Sequence, residues 1–246
     1  MVNAKLWKSL IGAISTLIDE AEFKIYAEGI KLRAMDPSHV AMVDFEWIKT
    51  VFDEYYCDKH TILRVNVNEM LKLLRRVGNE ESIELSLDEK TNRLKIKLKG
   101  SYTRNFSIPT FEATEEETPK PRVIFNAKVR LTSKCLKEVL NDAMPISDHV
   151  RLNITKERFI IEALGDLGSV SIELTKESED VLDLDVRDNS SAIFSLSYLS
   201  DIVKAASIIS EVANIEFSTD MPIKMSFEMS QEGKLEYYLA PRIENP

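Results

Sequence analysis

The segment Leu94-Lys95-Ile96-Lys97-Leu98 carries the pattern that recurs through most of this 246-residue chain, an alternation of apolar and charged side chains. A period of two residues places the apolar side chains on one face of a β-strand and the charged ones on the other, as in an antiparallel sheet with one buried face. Residues 23–26 and 30–34 alternate in the same way. Turn-forming residues separate the strands at 27–29, 36–38, 88–92 and 231–233. The chain is therefore predicted to contain many short antiparallel strands.

Four segments carry apolar residues at helical spacing instead, namely residues 5–18, 68–77, 133–143 and 197–209. Each segment has one apolar and one polar face, which is typical of a short amphipathic α-helix packed on a core. In the second segment, Asn68 is the predicted N-cap and Gly78 the predicted end of the helix. Strands combined with these helices indicate the α+β fold class.

The predicted helices recur at a fixed spacing. The first begins at Lys5 and the third at Lys134, 129 residues later. The second begins at Asn68 and the fourth at Ser197, at the same spacing. An internal repeat of this kind indicates two copies of one structural module. We predict two similar domains, each built of antiparallel sheets and two helices.

An acidic stretch with two prolines lies between the two copies. Residues 110–122 include Glu112 and three consecutive glutamates at 115–117, followed by Pro119 and Pro121. The stretch has no periodic apolar face, and its prolines cannot donate to a strand ladder. We therefore predict an N-terminal domain at 1–109, an exposed connector at 110–122 and a C-terminal domain at 123–246.

The net charge is unevenly distributed along the chain. The value of −9, from 41 acidic and 32 basic residues, argues against a protein that coats nucleic acid by bulk positive charge. The predicted helices, however, carry eight basic against four acidic residues. Lysines on a helix face are ordinary, but an excess shared by four helices predicts one basic surface if the helices lie on the same side of the sheets. The basic residues are Lys5, Lys8, Lys72, Arg75, Arg76, Lys134, Lys137 and Lys204.

Several classes of site leave no motif in the sequence. The seven glycines form no GxGxxG, GxxxxGK[ST] or GxSxG pattern, which excludes the common phosphate cradles and the nucleophile elbow. His39, His60 and His149 lack the neighbours of a metal motif, so we predict no metal and no cofactor. Cys57 and Cys135 are far apart and favour a reducing compartment. No apolar run approaches the roughly 20 residues that span a bilayer, and we predict no membrane association.

An aspartate cluster keeps one enzymatic alternative open. Its members are Asp180, Asp183, Asp185 and Asp188. Paired carboxylates hold the two metal ions of phosphoryl transfer, so the cluster suits a metal-dependent enzyme acting on nucleic acid. Asp183 and Asp185 also alternate with the apolar residues Leu182, Leu184 and Val186, which is typical of the solvated face of a strand. We favour the solvated face and keep the enzyme as the competing hypothesis.

Six segments, in order along the chain, match one known family. They are AMDPSHVAMV at 34–43, YCD at 56–58, VNV at 65–67, MLKLL at 70–74, GNE at 78–80 and YYLAPRIE at 237–244. On these residues the chain resembles the sliding clamps of archaeal and eukaryotic DNA replication, the proliferating cell nuclear antigen (PCNA) family. Within them, MDPSHV and LAPRIE are far more specific than a lone glycine motif.

The resemblance implies a DNA-clamp fold and a non-enzymatic function. Three subunits would form a ring whose helices line a hole around duplex DNA, with the eight basic helix residues facing the DNA without reading its sequence. Such a processivity factor tethers DNA polymerase, flap endonuclease and DNA ligase after a clamp loader has placed it on DNA. The expected location is cytoplasmic, at the nucleoid, in an archaeon and nuclear in a eukaryote.

The resemblance also implies two protein-binding sites. Ring closure would pair edge strands of neighbouring subunits, and the matching residues are Tyr102, Arg104, Phe106 and Ile108 on one strand and Val170, Ile172 and Leu174 on the other. A pocket for short helical peptides with apolar and aromatic anchors would be formed by Met35, His39, Val40, Met42, Pro222, Tyr238, Ala240 and Pro241. The family usually has apolar connector residues over this pocket. Here Thr118, Pro119 and Lys120 occupy those positions, so a different partner preference is expected.

Two questions stay open from the sequence. The ring is either a homotrimer or a heterotrimer of related subunits. A third hypothesis, besides the clamp and the metal-dependent enzyme, is a peptide-binding adaptor that never closes into a ring.

Overall fold

The computed structural model of the chain describes residues 2–114, 118–166, 168–229 and 233–243. The chain divides into two compact units. The first comprises Met1–Pro37, Val43–Thr118 and Met229–Leu235, and the second comprises Ser38–Met42, Pro119–Glu228 and Glu236–Pro246. Three glutamates of the predicted connector, Glu115, Glu116 and Glu117, lie outside the described residues, as does part of the predicted turn at 231–233.

Short strands alternate with four α-helices along the chain. The N-terminal half contains β1 (Val2–Asn3), α1 (Ala4–Ile14), β2 (Glu20–Tyr26), β3 (Gly29–Met35), β4 (Ala41–Ile48), a 3-10 turn (Lys49–Val51), β5 (Thr61–Asn66), α2 (Val67–Leu74), β6 (Ser82–Asp88), β7 (Arg93–Lys99) and β8 (Thr103–Pro109). The C-terminal half contains β9 (Ala127–Thr132), α3 (Ser133–Ala143), β10 (His149–Ile154), β11 (Arg158–Gly165), β12 (Gly168–Thr175), β13 (Val181–Val186), β14 (Ser190–Ser195), α4 (Leu196–Ala206), β15 (Val212–Phe217), β16 (Ile223–Glu228) and β17 (Gly233–Leu239).

In the first unit, the two helices pack against each other and against the strands. Strands β1, β6, β7 and β8 form an antiparallel sheet in that order, and β2 pairs antiparallel with β3 and with β5. Helix α1 contributes Trp7 to the core, where its ring centre lies 6.0 Å from that of Phe23 and 5.9 Å from that of Trp47. The indole N–H of Trp7 donates to the sulfur of Met70 on α2 at 3.4 Å, which joins the two helices.

The second unit repeats this plan. Strands β12, β11, β10 and β14 form one antiparallel sheet in that order, while β9 pairs antiparallel with β13 and β15. Helix α3 packs against α4 and contacts β9, β11, β12 and β15. Fully buried phenylalanines fill the core, including Phe159, Phe194 and Phe217.

The predicted repeat and fold class are confirmed. Helices α1 and α3 are each 11 residues long, and α1, α2, β3 and β5 each begin 129 residues before their counterparts α3, α4, β11 and β14. The alternation predicted at 94–98 is also confirmed, since Leu94, Ile96 and Leu98 are buried on β7. Lys95 and Lys99, on its other face, pair with Asp88 and Glu84 at 2.8 and 2.9 Å. Within the described residues, no helix is long and apolar enough to cross a membrane.

The predicted ends of α2 were wrong at both termini. The N-cap is Asn66, whose side-chain oxygen accepts from the Glu69 backbone N–H at 2.9 Å. Asn68 instead donates its side-chain amide to Asp19 at 2.7 Å. The helix ends at Leu74, before Gly78 is reached. Two asparagines two residues apart are equivalent in a sequence pattern, and tertiary contacts determine which of them caps the helix.

The first and fourth helices are shorter than predicted. Helix α1 ends at Ile14 and α4 at Ala206. Just beyond these ends, Ser15 donates to the Gly12 carbonyl at 2.8 Å and Ser207 donates to the Lys204 carbonyl at 3.0 Å. Hydroxyl side chains that bond to backbone carbonyls compete with the helical ladder and favour its termination.

The alternation predicted along β13 fails at Leu182. Leu184 and Val186 are buried as expected, but Leu182 is exposed. The pairing register with β9 shifts between Val181 and Asp183, so Leu182 lies at an irregularity of the strand. An extra residue of this kind redirects a side chain away from the face that its sequence position predicts.

Candidate functional site

The basic residues of the first unit lie on the polar faces and ends of α1 and α2. Lys5 and Lys72 are exposed, and Arg75 and Arg76 are exposed just past the end of α2. Lys72 pairs with Glu69 at 2.6 Å. Lys8 extends from α1 and donates to the Arg75 backbone carbonyl at 2.9 Å, where a cation stabilises the negative end of the helix dipole.

The second unit carries its basic residues on α3 and α4. Lys134 is exposed and lies 3.9 Å from Glu138 one helical turn later. Lys137 is half-buried, and Lys204 is exposed in the last turn of α4. Among the residues that the structure describes, no ion pair engages Lys137 or Lys204. These ammonium groups are therefore available to an anionic ligand such as phosphate.

Strand β8 is an edge strand, since it pairs with β7 on one side and ends the order β1-β6-β7-β8. Tyr102, just before it, is 65% exposed, and the Arg104 guanidinium lies 5.6 Å from its ring centre. Arg104 is held by both carboxylate oxygens of Glu81, at 2.6 and 2.7 Å. Phe106 is half-buried and Ile108 buried, so the apolar side of β8 faces inward and its backbone edge is open.

Glu81 is the anchor of this arrangement. Its carboxylate also accepts the Gly78 backbone N–H at 2.7 Å. This hydrogen bond, together with the Arg104 guanidinium, lowers the pKa of Glu81 below its usual value. Sequence reasoning missed Glu81, because nothing in the local pattern indicates which acidic residue meets Arg104.

Strand β12 is an edge strand of the second unit, at one end of the order β12-β11-β10-β14. Val170 and Ile172 are half-buried and Leu174 is buried, while Ser169, Ser171 and Glu173 alternate with them and are exposed. Each unit thus has a strand at the end of a four-stranded sheet, β8 in the first unit and β12 in the second. Backbone N–H and C=O groups along such an edge are a template for pairing with another chain.

Seven of the predicted pocket residues lie in the second unit, and three of them, Tyr238, Ala240 and Pro241, lie on or just after the C-terminal strand β17. Val40 is 37% exposed and its carbonyl accepts the Ala240 N–H at 2.8 Å, which fixes the loop before β4 against the end of β17. His39 is exposed with a positive φ of 57°. Met42 is buried, Pro222 and Pro241 are half-buried, and Ala240 is exposed. Met35 belongs to the first unit and is half-buried at the end of β3.

Tyr238 is buried rather than open, with 4% of its surface exposed. Its hydroxyl donates to Glu236 at 3.1 Å. Burial, followed by the Glu236 carboxylate, raises the pKa of Tyr238, and Lys120 partly opposes this rise. Exposed apolar side chains that sequence reasoning did not assign to the pocket lie in the same unit at Ile124, Met221 and Ile243. They come from turns and chain ends, where no periodicity signals exposure.

The aspartate cluster lies on the solvated side of its strand. Asp183 and Asp185 are exposed, and Asp180 accepts the Thr132 hydroxyl at 2.6 Å beside the start of α3. Within the described ranges, no three His, Cys, Asp or Glu residues are placed to hold a metal ion. Cys135 is buried, and burial raises the pKa of its thiol to about 11, so the thiol is protonated at neutral pH.

Models of both halves of one family match the chain. The N-terminal domain of proliferating cell nuclear antigen matches residues 1–112, and its C-terminal domain matches residues 120–242. A crystal structure of PCNA from Thermococcus kodakaraensis has a TM-score of 0.92 to this chain, at 26% identity over 97% of each chain.

Named relatives extend over nearly the whole length. The DNA polymerase sliding clamp 1 of Pyrobaculum aerophilum is 39% identical over 99% of this chain and 97% of its own length. The DNA polymerase sliding clamp of Thermococcus onnurineus is 37% identical over the same shares. That of Nitrosopumilus maritimus is 33% identical over 97% of this chain and 95% of its own. With both domain models matched in order and the fold in agreement, the chain belongs to the proliferating cell nuclear antigen family.

Proposed function

We propose that the chain is a DNA polymerase sliding clamp that encircles duplex DNA as a ring of three subunits, with a mass of about 84 kDa, three times 28.1 kDa. Membership of the PCNA family makes it a non-enzymatic processivity factor that binds DNA, other clamp subunits and polymerase. The aspartate cluster therefore has no catalytic role in this proposal. The boundaries proposed for the domains remain 1–109, 110–122 and 123–246.

The observation that carries the proposal is the basic bias of four repeat-related helices on an acidic chain. Eight basic residues against four acidic ones in and next to these helices favour contact with phosphates, while the remaining surface carries the net negative charge. Contacts to phosphate fix position without reading bases and weaken as salt rises. A chain with a net charge of −9 gains little from bulk attraction, so topology retains it on DNA.

Ring closure is proposed to use the open edges of β8 and β12. Strand β8 of one subunit would pair with β12 of the next, with Tyr102, Arg104, Phe106 and Ile108 on one side and Val170, Ile172 and Leu174 on the other. Both strands end their sheets, which supports this use. The edges of one chain suffice for a homotrimer, and a heterotrimer with related subunits uses the same edges.

The pocket residues are proposed to bind peptide segments of replication and repair enzymes. Flap endonuclease, DNA ligase and the clamp loader are the proposed partners besides polymerase. A tethered enzyme stays at high local concentration because its dissociation from the primer end no longer means loss from the DNA. The named relatives are archaeal, and we propose a cytoplasmic, nucleoid-associated location.

Retention on closed DNA tests the encirclement. The clamp is loaded on a nicked circular plasmid and on the same plasmid after linearisation, and bound protein is followed by gel filtration in high salt. We expect retention on the circle and rapid loss from the linear form. Equal loss from both would contradict encirclement, and a solution mass of one subunit, alone and with related subunits, would support the adaptor instead.

A further inference from the structure

A lysine of the connector is attached to a buried carboxylate in the second unit. The ammonium of Lys120 lies 2.8 Å from Glu236, whose side chain is almost completely buried at the middle of β17. Lys120 stands between Pro119 and Pro121, which have no backbone N–H to donate. Its own side chain is partly exposed. The connector is thus fastened here by a side-chain contact and by no regular strand ladder.

Glu236 keeps other partners when Lys120 leaves. Lys224 lies 3.4 Å from its carboxylate, and the Tyr238 hydroxyl donates to it at 3.1 Å. Burial alone would lower the pKa of Lys224, but Glu216 at 2.7 Å and Glu236 raise it, so Lys224 stays charged. Removal of Lys120 therefore does not leave the buried Glu236 carboxylate without a partner, and an unpaired buried charge is what strongly destabilises a protein.

The same ammonium covers an aromatic ring of the proposed pocket. Lys120 lies 5.8 Å from the ring centre of Tyr238, within the range of a cation–π contact. Tyr238 is 4% exposed, whereas Val40 and Ile124 in the same unit are 37% and 79% exposed. The aromatic ring is thus closed off from solvent, while these apolar groups of the same unit remain open to it.

We propose that Lys120 is a displaceable latch: its contact with Glu236 closes the aromatic wall of the proposed peptide pocket, and an apolar peptide must release it to reach Tyr238. This inference rests on the proposed peptide-binding function. Lys120 is a positioning residue that sets which peptides the pocket accepts. Peptides with a strong aromatic anchor gain enough binding free energy to displace Lys120 from Glu236, and purely aliphatic peptides do not.

The latch predicts an unusual salt dependence. The Lys120 side chain is 38% exposed, so salt screens its contact with Glu236, although less than it screens a fully exposed pair. Raising the salt concentration weakens the latch and strengthens the binding of an uncharged peptide, the reverse of the trend for a charged peptide held by ion pairs. The apolar contacts themselves are only slightly affected over the same range.

The test measures the affinity of a synthetic, uncharged amphipathic peptide with two aromatic anchors for the full-length protein. We expect Lys120→Ala to bind it about three- to tenfold more tightly, which corresponds to ~0.7–1.4 kcal/mol, and to lose the salt dependence. Lys120→Arg restores wild-type behaviour. The matched control is Arg122→Ala, which removes an exposed cation two residues away and leaves affinity unchanged within twofold.

Unchanged or weaker binding by Lys120→Ala overturns the latch, and so does an equal gain in Arg122→Ala. Hydrogen exchange of the backbone amides at 122–125 provides a second measurement that requires no peptide. We expect faster exchange in Lys120→Ala than in wild type, and equal rates overturn the latch. If no variant binds the peptide while the exchange rates differ, the proposed peptide-binding function fails and the latch fails with it; only the fastening of the connector by Lys120 and Glu236 is then supported.

Discussion

Glu81 shows how one side chain prepares the proposed subunit edge. Its carboxylate joins the Gly78 N–H and the Arg104 guanidinium, and Arg104 in turn lies against Tyr102. Arg104 is thereby fixed before any neighbour binds, so less side-chain entropy is lost on association. The residue that organises this edge is an acid which does not itself belong to the strand.

The pH dependence of stability follows from the direction of the Glu81 pKa. Because the folded state lowers this pKa below its usual value of 4.5, folding favours the ionised carboxylate. The associated stability is present above the unfolded pKa and is lost as the pH falls through the lowered folded value. We expect Glu81→Gln to lower the thermal unfolding midpoint at pH 7 and to approach wild type as the pH falls below about 4.

Thermal unfolding followed by circular dichroism between pH 7 and pH 3.5 measures this difference. The control is Glu80→Gln, because Glu80 is exposed and none of the described residues pairs with it. A gap between Glu81→Gln and wild type that stays constant over this pH range would show that the charge of Glu81 is not what stabilises the site.

At the scale of elements, periodicity predicted the type of each helix and its spacing, but contacts between elements set the ends. Asn66 and Asn68 have equal capping ability, and only the position of Asp19 in space assigns one to the cap and one to a tertiary bond. The exposure of Leu182 depends on a register shift against β9, which a single strand's sequence does not contain.

The candidate sites were predictable where their residues follow the helical spacing or the two-residue alternation of a strand. Lys5 and Lys204 were found because they lie on polar helix faces, and β8 and β12 because they alternate and match the family. The contact of Lys120 with the Tyr238 ring was not predictable, since it joins residues 118 positions apart that share the buried Glu236 as a partner. Long-range side-chain pairs of this kind have no local sequence signal.

The edge strand β8 carries a prediction at this scale. Tyr102 is 65% exposed beside the open edge, and exposed tyrosines at interfaces often contribute a large share of the binding energy. We expect Tyr102→Ala to weaken subunit association by about 1–2 kcal/mol, that is, roughly five- to thirtyfold. The concentration at which the trimer dissociates rises accordingly in sedimentation velocity, while the circular dichroism spectrum of the subunit is unchanged.

A second exposed tyrosine provides the control for Tyr102→Ala, because its removal shows what the loss of an exposed ring does away from the edge strands. Tyr56 is 87% exposed in the loop between the 3-10 turn and β5, away from β8 and β12 in sequence. Tyr56→Ala is expected to leave the dissociation concentration at the wild-type value. Equal masses for both variants and wild type at all concentrations would exclude Tyr102 from the interface.

For the whole molecule, the uneven distribution of charge gives ring closure and electrostatic attraction different roles on DNA. A net charge of −9 opposes approach to DNA, and salt limits the reach of the helix cations to about 8–10 Å. The cations therefore act on DNA that is already close, and they are poor at holding a subunit that can dissociate freely. The lifetime of the ring on closed DNA and the affinity of the protein for a linear duplex should therefore respond to different substitutions.

The triple variant Arg75→Ala, Lys137→Ala, Lys204→Ala distinguishes the lifetime on closed DNA from the affinity for a linear duplex. On a short linear duplex we expect weaker binding and a shallower salt dependence, by about 0.9 in the log–log slope for each phosphate that is no longer neutralised. On a nicked circle loaded by the clamp loader, we expect the same lifetime as wild type, since the closed ring cannot dissociate.

The control variant Lys90→Ala, Lys156→Ala, Lys176→Ala removes the same charge from exposed turns between strands. An equal loss of affinity in the control would assign the effect to net charge alone, and a short lifetime of the helix variant on the circle would show that attraction, not closure, retains the protein.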